Sequence, residues 1–563
     1  MKRGLIVFSL VISSIVSIAQ ADPIPLNTKQ YLLINRLDIK LRDDSVLGFS
    51  TIKPFNRRII TQRLDYIDSL DKSGSKLLQL SAIDRHNLRS SFLSNVDWTD
   101  KHNRLFQTNE PFFEHFYRNQ AHFYSIKTGD FFLSVNPMLN LNYGKSNDGT
   151  KVFQSARGIM VRGNIDKRIG FWSSIVENQE RSPRYVRAFT GKFQAVPGTA
   201  LYKEFKEKAN DAVDYFDARG GINFNAGRHF DFMFGYDKLF IGNGYRSLLL
   251  SDFSAPYLFL KIDTRVWKLK YTNIFAELVA PFRRGGGDQL REKKYTVMHH
   301  LSYQPTKWLN VGLFENIMFY RPGRGFDISY ANPIIFYRAI EGNNGSADKA
   351  TIGADFKANI KGRAQVYGQL LITEFVLSAV KNYSAGSWLN KHGVQLGAKY
   401  IDAFGVKNLD LQGEMNIVRP FSYQHRDSAT SYSNYNQPLA HPLGAGFREF
   451  IFQVNYQPLP KVYLNGKVMI YKQGLDSAGK NFGSNVLHEY TNRPRSEGFF
   501  IGTGTPANVV YASLTASYEV IENLYVDANV TLRRYKENGK LLENLNVFSI
   551  GVRMNMQRRE FDF

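Results

Sequence analysis

From Phe131 onward, apolar and polar positions alternate with a period of two. Phe131, Leu133, Val135, Leu139, Leu141 and Tyr143 interleave with Ser134, Asn136, Asn140 and Asn142, so one face of a single strand is apolar and the other polar. The pattern returns from Leu258 to Val266, from Val510 to Tyr518, from Leu524 to Leu532 and from Phe548 to Met556. Alternation alone describes a soluble sandwich equally well, so connection lengths must decide. Short turns are expected near Asp166-Lys167, Gly227-Arg228, Trp267-Lys268, Pro305-Thr306, Ile360-Lys361, Phe404-Gly405, Pro458-Leu459 and Ile521-Glu522. Between them lie long polar connections such as 177–220, 321–349, 419–446 and 473–507. Short turns on one side and long loops on the other are the mark of an outer-membrane barrel. The turns, with an opening strand at Phe131 and a closing one at Val547, predict about 18 antiparallel strands, an even number as single-chain bacterial barrels require.

Before residue 110 the period is helical. Asn27 is placed to cap a helix carrying Leu33, Leu37 and Ile39, and Pro54 precedes a second with Ile59, Ile60, Leu64, Ile67 and Leu70. A third opens at Ser81 with a capping box in which Asp84 replaces the usual Glu. Three short helices need one another to bury anything, so mutual packing is the expected use of their stripes. Parity puts both chain ends, and this helical subdomain, on the periplasmic side with the long loops outside. A further amphipathic helix is predicted from Leu201 to Phe216, on the stripe Phe205, Ala209, Val213 and Phe216, covering the rim of an outward loop.

The first residues fix the compartment. Lys2 and Arg3, an apolar run from Leu5 to Ile18, and Ala19-Gln20-Ala21 read as a secretory signal peptide cleaved after Ala21. The expected organisation is therefore 1–21 leader, 22–110 periplasmic helical subdomain and 111–563 barrel. The chain has no cysteine, which excludes lipoprotein attachment and disulfides. No later window resembles a membrane-spanning helix. The formal charge is +22, and removing Lys2 and Arg3 leaves 70 basic against 50 acidic residues, a net of +20. That excess favours an anionic surface polysaccharide or lipopolysaccharide as partner, and export argues against nucleic acid. The remaining expected partners are outer-membrane lipid and the barrel-assembly machinery, with a monomeric barrel. The last strand followed by the terminal Phe563 is similar to the signal that this machinery reads, although Phe561 and Phe563 are out of phase with Phe548 to Met556.

Candidate chemistry is binding rather than catalysis. His299 and His300 project to opposite faces of a strand and do not share a metal ion. Gly242-Asn243-Gly244-Tyr245-Arg246-Ser247 lacks both the third glycine and the βαβ context of a dinucleotide loop. No serine, histidine or aspartate stands in a distinctive hydrolase motif, so no catalytic residue, metal or cofactor is assigned. The loops offer Tyr423, His425, Arg426, Tyr432, Tyr435, His441 and Arg448, with Arg246 from the glycine-rich segment and Arg493 and Arg495, beside His488 and Tyr490, from a second loop. Tyrosine faces stack on sugar rings, and arginine forks onto uronate or phosphate oxygens. The plain alternative is that loops of such barrels are rich in tyrosine anyway. Inward charges such as Lys261, Asp263, Arg265, Asp527 and Arg533 either cross-link the lumen or line an open pore.

Two strings carry a resemblance. Phe240-Ile241-Gly242-Asn243-Gly244-Tyr245-Arg246-Ser247-Leu248 with Leu250-Ser251-Asp252, and Tyr435-Asn436-Gln437-Pro438-Leu439-Ala440-His441-Pro442-Leu443-Gly444-Ala445, resemble the Wzi-like capsule assembly family, within it the Bacteroidota branch that includes the gliding motility protein RemB. The resemblance implies a large outer-membrane barrel with a periplasmic helical bundle, acting as a non-enzymatic lectin that holds capsular polysaccharide at the cell surface. For the gliding branch it implies a role in surface motility. It transfers no individual sugar-binding residue. The competing functions are a transport pore, on the polar inward faces, and an outer-membrane hydrolase.

Overall fold

The computed structural model describes residues 21–74, 78–99, 115–204, 211–283, 289–374 and 376–563, so all of the expected leader 1–21 except Ala21 lies outside the described residues. The alternating segments close into one antiparallel barrel of 18 strands. In chain order these are β1 (Phe131–Ser146), β2 (Lys151–Ile165), β3 (Ile169–Arg181), β4 (Val213–Ala226), β5 (Phe230–Asp237) and β6 (Tyr257–Val266). They continue as β7 (Leu269–Val279), β8 (Lys293–Thr306), β9 (Leu309–Phe319), β10 (Lys349–Ile360), β11 (Ala364–Glu374) and β12 (Lys391–Tyr400). The last six are β13 (Leu409–Val418), β14 (Phe447–Leu459), β15 (Val462–Leu475), β16 (Thr505–Ile521), β17 (Leu524–Glu537) and β18 (Glu543–Met554). Closure runs through β18 and β1, with Val547 opposite Ser146 and Met554 opposite Leu139.

The tight turns fall where the sequence places them, to within two residues. Asp166 and Lys167 both adopt positive φ in the three-residue connection between Ile165 and Ile169, a backbone twist that matches that of the flanking strands. The turns expected at Pro305-Thr306 and Pro458-Leu459 sit two residues later, because register shifts between Tyr303 and Thr306 and between Tyr456 and Leu459 insert bulges that prolong the strands. The expected helix over Leu201 to Phe216 is corrected. Residues 205–210 lie outside the described residues, and Val213 to Phe216 already belong to β4, whose alternation continues from Val213 through Asn223. The helix of that connection lies earlier, at Arg184–Phe193.

Outward-facing positions are apolar and open. Leu313, Leu514 and Phe548 are 63%, 59% and 56% exposed, and a soluble surface does not carry so continuous an apolar band. Inward-facing positions are polar and buried, which requires something to fill the lumen.

At the short-turn end the filling is helical. Helices α1 (Lys29–Leu41), α2 (Arg57–Lys72) and α3 (Ala82–Ser94) pack through Leu33, Leu37, Leu64, Ile67, Leu88 and Phe92. Ser81 and Asp84 form the reciprocal capping box. Asn27 is not the cap of α1, which is Thr28; the Asn27 amide donates instead to Asp252, 2.7 Å away. Buried ion pairs seat the bundle around the barrel mouth. Lys29 reaches Glu519 and Glu522 at 2.5 and 2.7 Å, Lys357 reaches Asp38 at 2.7 Å, and Arg162 reaches Asp97 at 3.1 Å. Arg36 bridges Asp84 of the bundle to Asp402 and Asp410 of the wall.

Candidate functional site

The long-loop end is built in two tiers. The lower tier closes the lumen and the upper tier meets solvent.

The lower tier joins residues 238–256 to 419–446. The Tyr423 hydroxyl donates to the carbonyl of Leu248 at 2.8 Å and that of Tyr432 to Leu249 at 2.6 Å. Their rings stack at 5.6 Å within an apolar cluster that includes Ile241, Leu250, Leu439 and Phe447. Barrel side chains grip the backbone of this tier. Glu414 accepts from the amides of Tyr245 and Arg246 at 2.7 and 3.0 Å, and Gln369 accepts from Leu248 at 2.8 Å. His441 donates through Nε2 to Glu449 at 2.7 Å while its Nδ1 accepts from the Leu443 amide, so neither ring nitrogen is free for proton transfer. Burial and the nearby Lys349 and Arg426 push His425 down to about 3, and it stays uncharged at neutral pH.

The chain end completes this tier. After Met554 the tail turns back into the lumen, where Asp562 accepts from Arg246 at 3.0 Å and from Lys467 at 2.7 Å. Both cations hold the Asp562 carboxyl well below the usual carboxylate range. Phe563 packs against Tyr185, Phe189 and Phe253 at ring distances of 6.0, 4.9 and 5.7 Å. The aromatic terminus, out of phase with the last strand, is therefore a lumen anchor and not the end of the wall. The inward charges are cross-linked likewise. Lys261 pairs with Asp263 at 3.0 Å, Arg553 with Asp527 at 2.8 Å, Arg533 lies over Tyr185 at 4.5 Å, and Arg265 lies over Phe49 of the bundle at 5.2 Å.

The structure thus divides the candidates. Tyr423, His425, Tyr432, His441 and Arg246 are buried in the lower tier and offer no face to a ligand from solvent. Tyr435 lies at the tip of the hairpin that pairs Ser433–Asn434 with Gln437–Pro438, edge-on to Phe282 at 6.3 Å. Arg448 projects from the outward face of β14 over Phe450 and belongs to the outer wall. Arg426, Arg493 and Arg495 remain at the rim.

The upper tier gathers around Trp388, which the sequence analysis did not single out. Its ring meets Tyr490 at 5.0 Å. The Arg493 guanidinium lies 3.8 Å over Trp388, and the Lys391 ammonium lies 4.2 Å from Trp388 and 3.9 Å from Tyr490, with Glu374 paired to Lys391 at 2.5 Å. Alongside, Tyr383 and Phe500 are 49% and 43% exposed and share the Arg419 guanidinium at 5.1 and 5.9 Å. A lone Trp in the polar segment Ala385-Gly386-Ser387-Trp388 was the signal available in the sequence. Half-open rings interleaved with cations suit the apolar faces and acidic groups of charged sugars. Among the described residues no group of three or more His, Asp or Glu side chains is placed to hold a metal ion.

No family model matches the chain, and no curated protein matches it in sequence. The likeness is one of structure. The chain shares its fold with Wzi. That protein, an outer-membrane protein of Escherichia coli involved in group 1 capsule assembly and described as a carbohydrate-binding β-barrel, superposes with a TM-score of 0.53 at 11% identity, over 96% of this chain and 100% of its own. OprD of Pseudomonas aeruginosa follows at a TM-score of 0.41 and 11% identity, over 75% of this chain and 94% of its own. OccAB2 of Acinetobacter baumannii gives 0.41 and 9%, over 75% and 97%. At such identities Wzi establishes the fold alone. With its continuous apolar exterior and closed 18-strand wall, the chain is a barrel of the outer membrane.

Proposed function

We propose that the protein is a closed, non-enzymatic outer-membrane barrel that binds acidic cell-surface polysaccharide at its outward rim, in support of capsule assembly or gliding motility. The observation that carries this reading is the doubly closed lumen. Helices fill the short-turn end, and loops 238–256 and 419–446 with the chain terminus fill the other, all held by buried hydrogen bonds and ion pairs. A barrel so filled leaves its rim as the working surface, and the rim carries Trp388, Tyr490 and Arg493 in one cluster. The net charge of +22 favours an anionic polymer. The carbohydrate binding described for Wzi is consistent with this assignment.

The test uses the full chain in nanodiscs with acidic and neutral capsular or exopolysaccharides. Binding of an acidic polymer is expected to weaken about tenfold or more in Trp388→Ala, since a buried aromatic anchor contributes about 2 kcal/mol or more. Planar bilayers should show almost no conductance from the intact protein. Steady ion conductance with no glycan binding would overturn the reading in favour of a channel.

A further inference from the structure

We propose that residues 320–348 form a flap lying in the lipid against the outer face of the barrel, docked to acyl chains through Ile328, Ile334, Ile335 and Phe336. The connection leaves the outward ends of β9 and β10, where Met318 pairs with Lys349, but the wall beneath it shows that it folds back along the outside of the barrel. On β7, β8 and β9 the inward positions include Thr272, His300 and Phe314, so their neighbours Asn273, His299 and Glu315 point away from the lumen and lie side by side across the three strands. Three polar side chains in one row of a lipid-facing wall would each be costly. All three are nevertheless buried, at 2%, 7% and 7% exposure, and what buries them is the flap.

The flap is fastened by specific contacts. Glu315 accepts from the backbone amides of Tyr337 and Arg338 at 3.0 and 2.8 Å, at the start of the short helix Tyr337–Asn343. The Tyr337 ring lies 3.8 Å from that of His299. Beneath them the outward-facing Val297, Ile317 and Phe319 form a cluster with Tyr330 and Tyr337 of the flap. Arg321 and the Tyr330 hydroxyl both reach Asp348, at 2.7 Å each, and tie the two roots together.

The depth follows from one hydrogen bond. Tyr271 donates to the carbonyl of Pro333 at 2.8 Å, and Tyr271 stands in register with Leu301 and Leu313. Leu313 belongs to the exposed apolar band and lies six positions before Phe319, the end of β9, or about 20 Å along the strand at ~3.3 Å per residue. The apolar tip therefore sits well below the rim, on the level of lipid-facing wall residues. There Ile334 is 82% exposed, Ile328 83% and Phe336 77%. This surface continues the barrel's own lipid interface, and its apolar chemistry fits acyl chains.

The chain has no cysteine, so single-cysteine spin labels read the location without background. Ile334→Cys, Leu313→Cys on the wall and Arg495→Cys on the rim are compared in liposomes for collision with oxygen and with a water-soluble nickel chelate. Ile334→Cys should match Leu313→Cys to within about twofold in both accessibilities, because water and its solutes are absent from the hydrocarbon core. Accessibility to nickel like that of Arg495→Cys would overturn the proposal by placing the flap in water. Shielding from both reagents would also overturn it, by showing the tip covered by another polypeptide. Ile334 makes no buried contact, so the fold of the variant is not in question.

Discussion

Arg36→Met is the perturbation that most directly probes the closed lumen. Arg36 is 6% exposed at its side chain and holds three carboxylates, Asp84 from the bundle and Asp402 and Asp410 from the β12–β13 turn and strand. Removing the cation strands these carboxylates where they are poorly solvated, and breaking one side of a buried pair costs about 3–5 kcal/mol. Lys40 also reaches Asp84 and Asp402, at 3.0 and 2.8 Å, so the lower end of that range applies. About 3 kcal/mol raises the undocked population of the bundle about a hundredfold, at 1.4 kcal/mol per tenfold.

Trypsin digestion in detergent micelles reads that population, since cleavage of a transiently open state follows the opening equilibrium when closing is fast. Cuts within α1 to α3 should appear about a hundred times faster than in the parent protein, while the barrel wall stays intact by its heat-modifiable migration. Arg85→Met is the control. Its pair with Asp71 is at the surface, with Arg85 57% exposed, and such pairs contribute little. Equal cleavage rates for the two variants would refute the view that buried charge seats the bundle, and with it the argument that the lumen is closed from this end.

Three further outcomes follow from the same contacts. Asp562→Asn should loosen the chain terminus and lower the unfolding midpoint, but by less than the ~3–5 kcal/mol of a fully stranded buried charge, because Glu560 still holds Lys467 and Glu449 still lies 3.8 Å from Arg246; calorimetry on the parent and the variant checks this. His425 stays neutral in the folded loop and titrates near 6.5 when released, so its contribution is full above pH 6.5 and is lost as pH falls toward 3. Protease access to 419–446 should therefore rise on acidification, and His425→Gln should flatten that dependence. Lys53 is pushed down to about 7 by burial, so its contribution to stability should rise with pH between 7 and 10.5, and Lys53→Met should lessen the slope of stability against pH in denaturant titrations at several pH values.

The wall was legible because a barrel writes itself twice in the sequence, as period two and as the sorting of short from long connections. His299 and His300 illustrate it: opposite faces were expected, and His300 bonds Asp355 inside, 2.6 Å away, while His299 packs under the flap outside. The capping box at Ser81 was legible for the same local reason. The candidate site was not, because burial of a loop is a tertiary event that leaves no periodic trace. Tyr423 and Tyr432 look in sequence like surface tyrosines, yet the barrel supplies an interior in which polar loops satisfy their backbone against side chains such as Gln369 and Glu414. The mistaken helix over Leu201 to Phe216 arose where a spacing near 3.6 coincided with the start of β4.

The two loop strings that carry the resemblance to capsule assembly proteins turn out to be one structure. Ser251 donates its amide to the Leu439 carbonyl at 3.1 Å, Tyr432 and Tyr423 bond the carbonyls of Leu249 and Leu248, and Arg246 meets the chain terminus. Both strings are thus used in holding the lumen shut. On the proposed function, the surface left to meet a polymer is the rim around Trp388, above this tier. The division gives the rim a fixed platform: loop 419–446 supplies Phe421 against Trp388 at 6.4 Å and His425 against Tyr490 at 5.9 Å. Side chains above a buried, hydrogen-bonded support are held in one geometry, so under the proposed function less ordering entropy would be lost on binding a polymer.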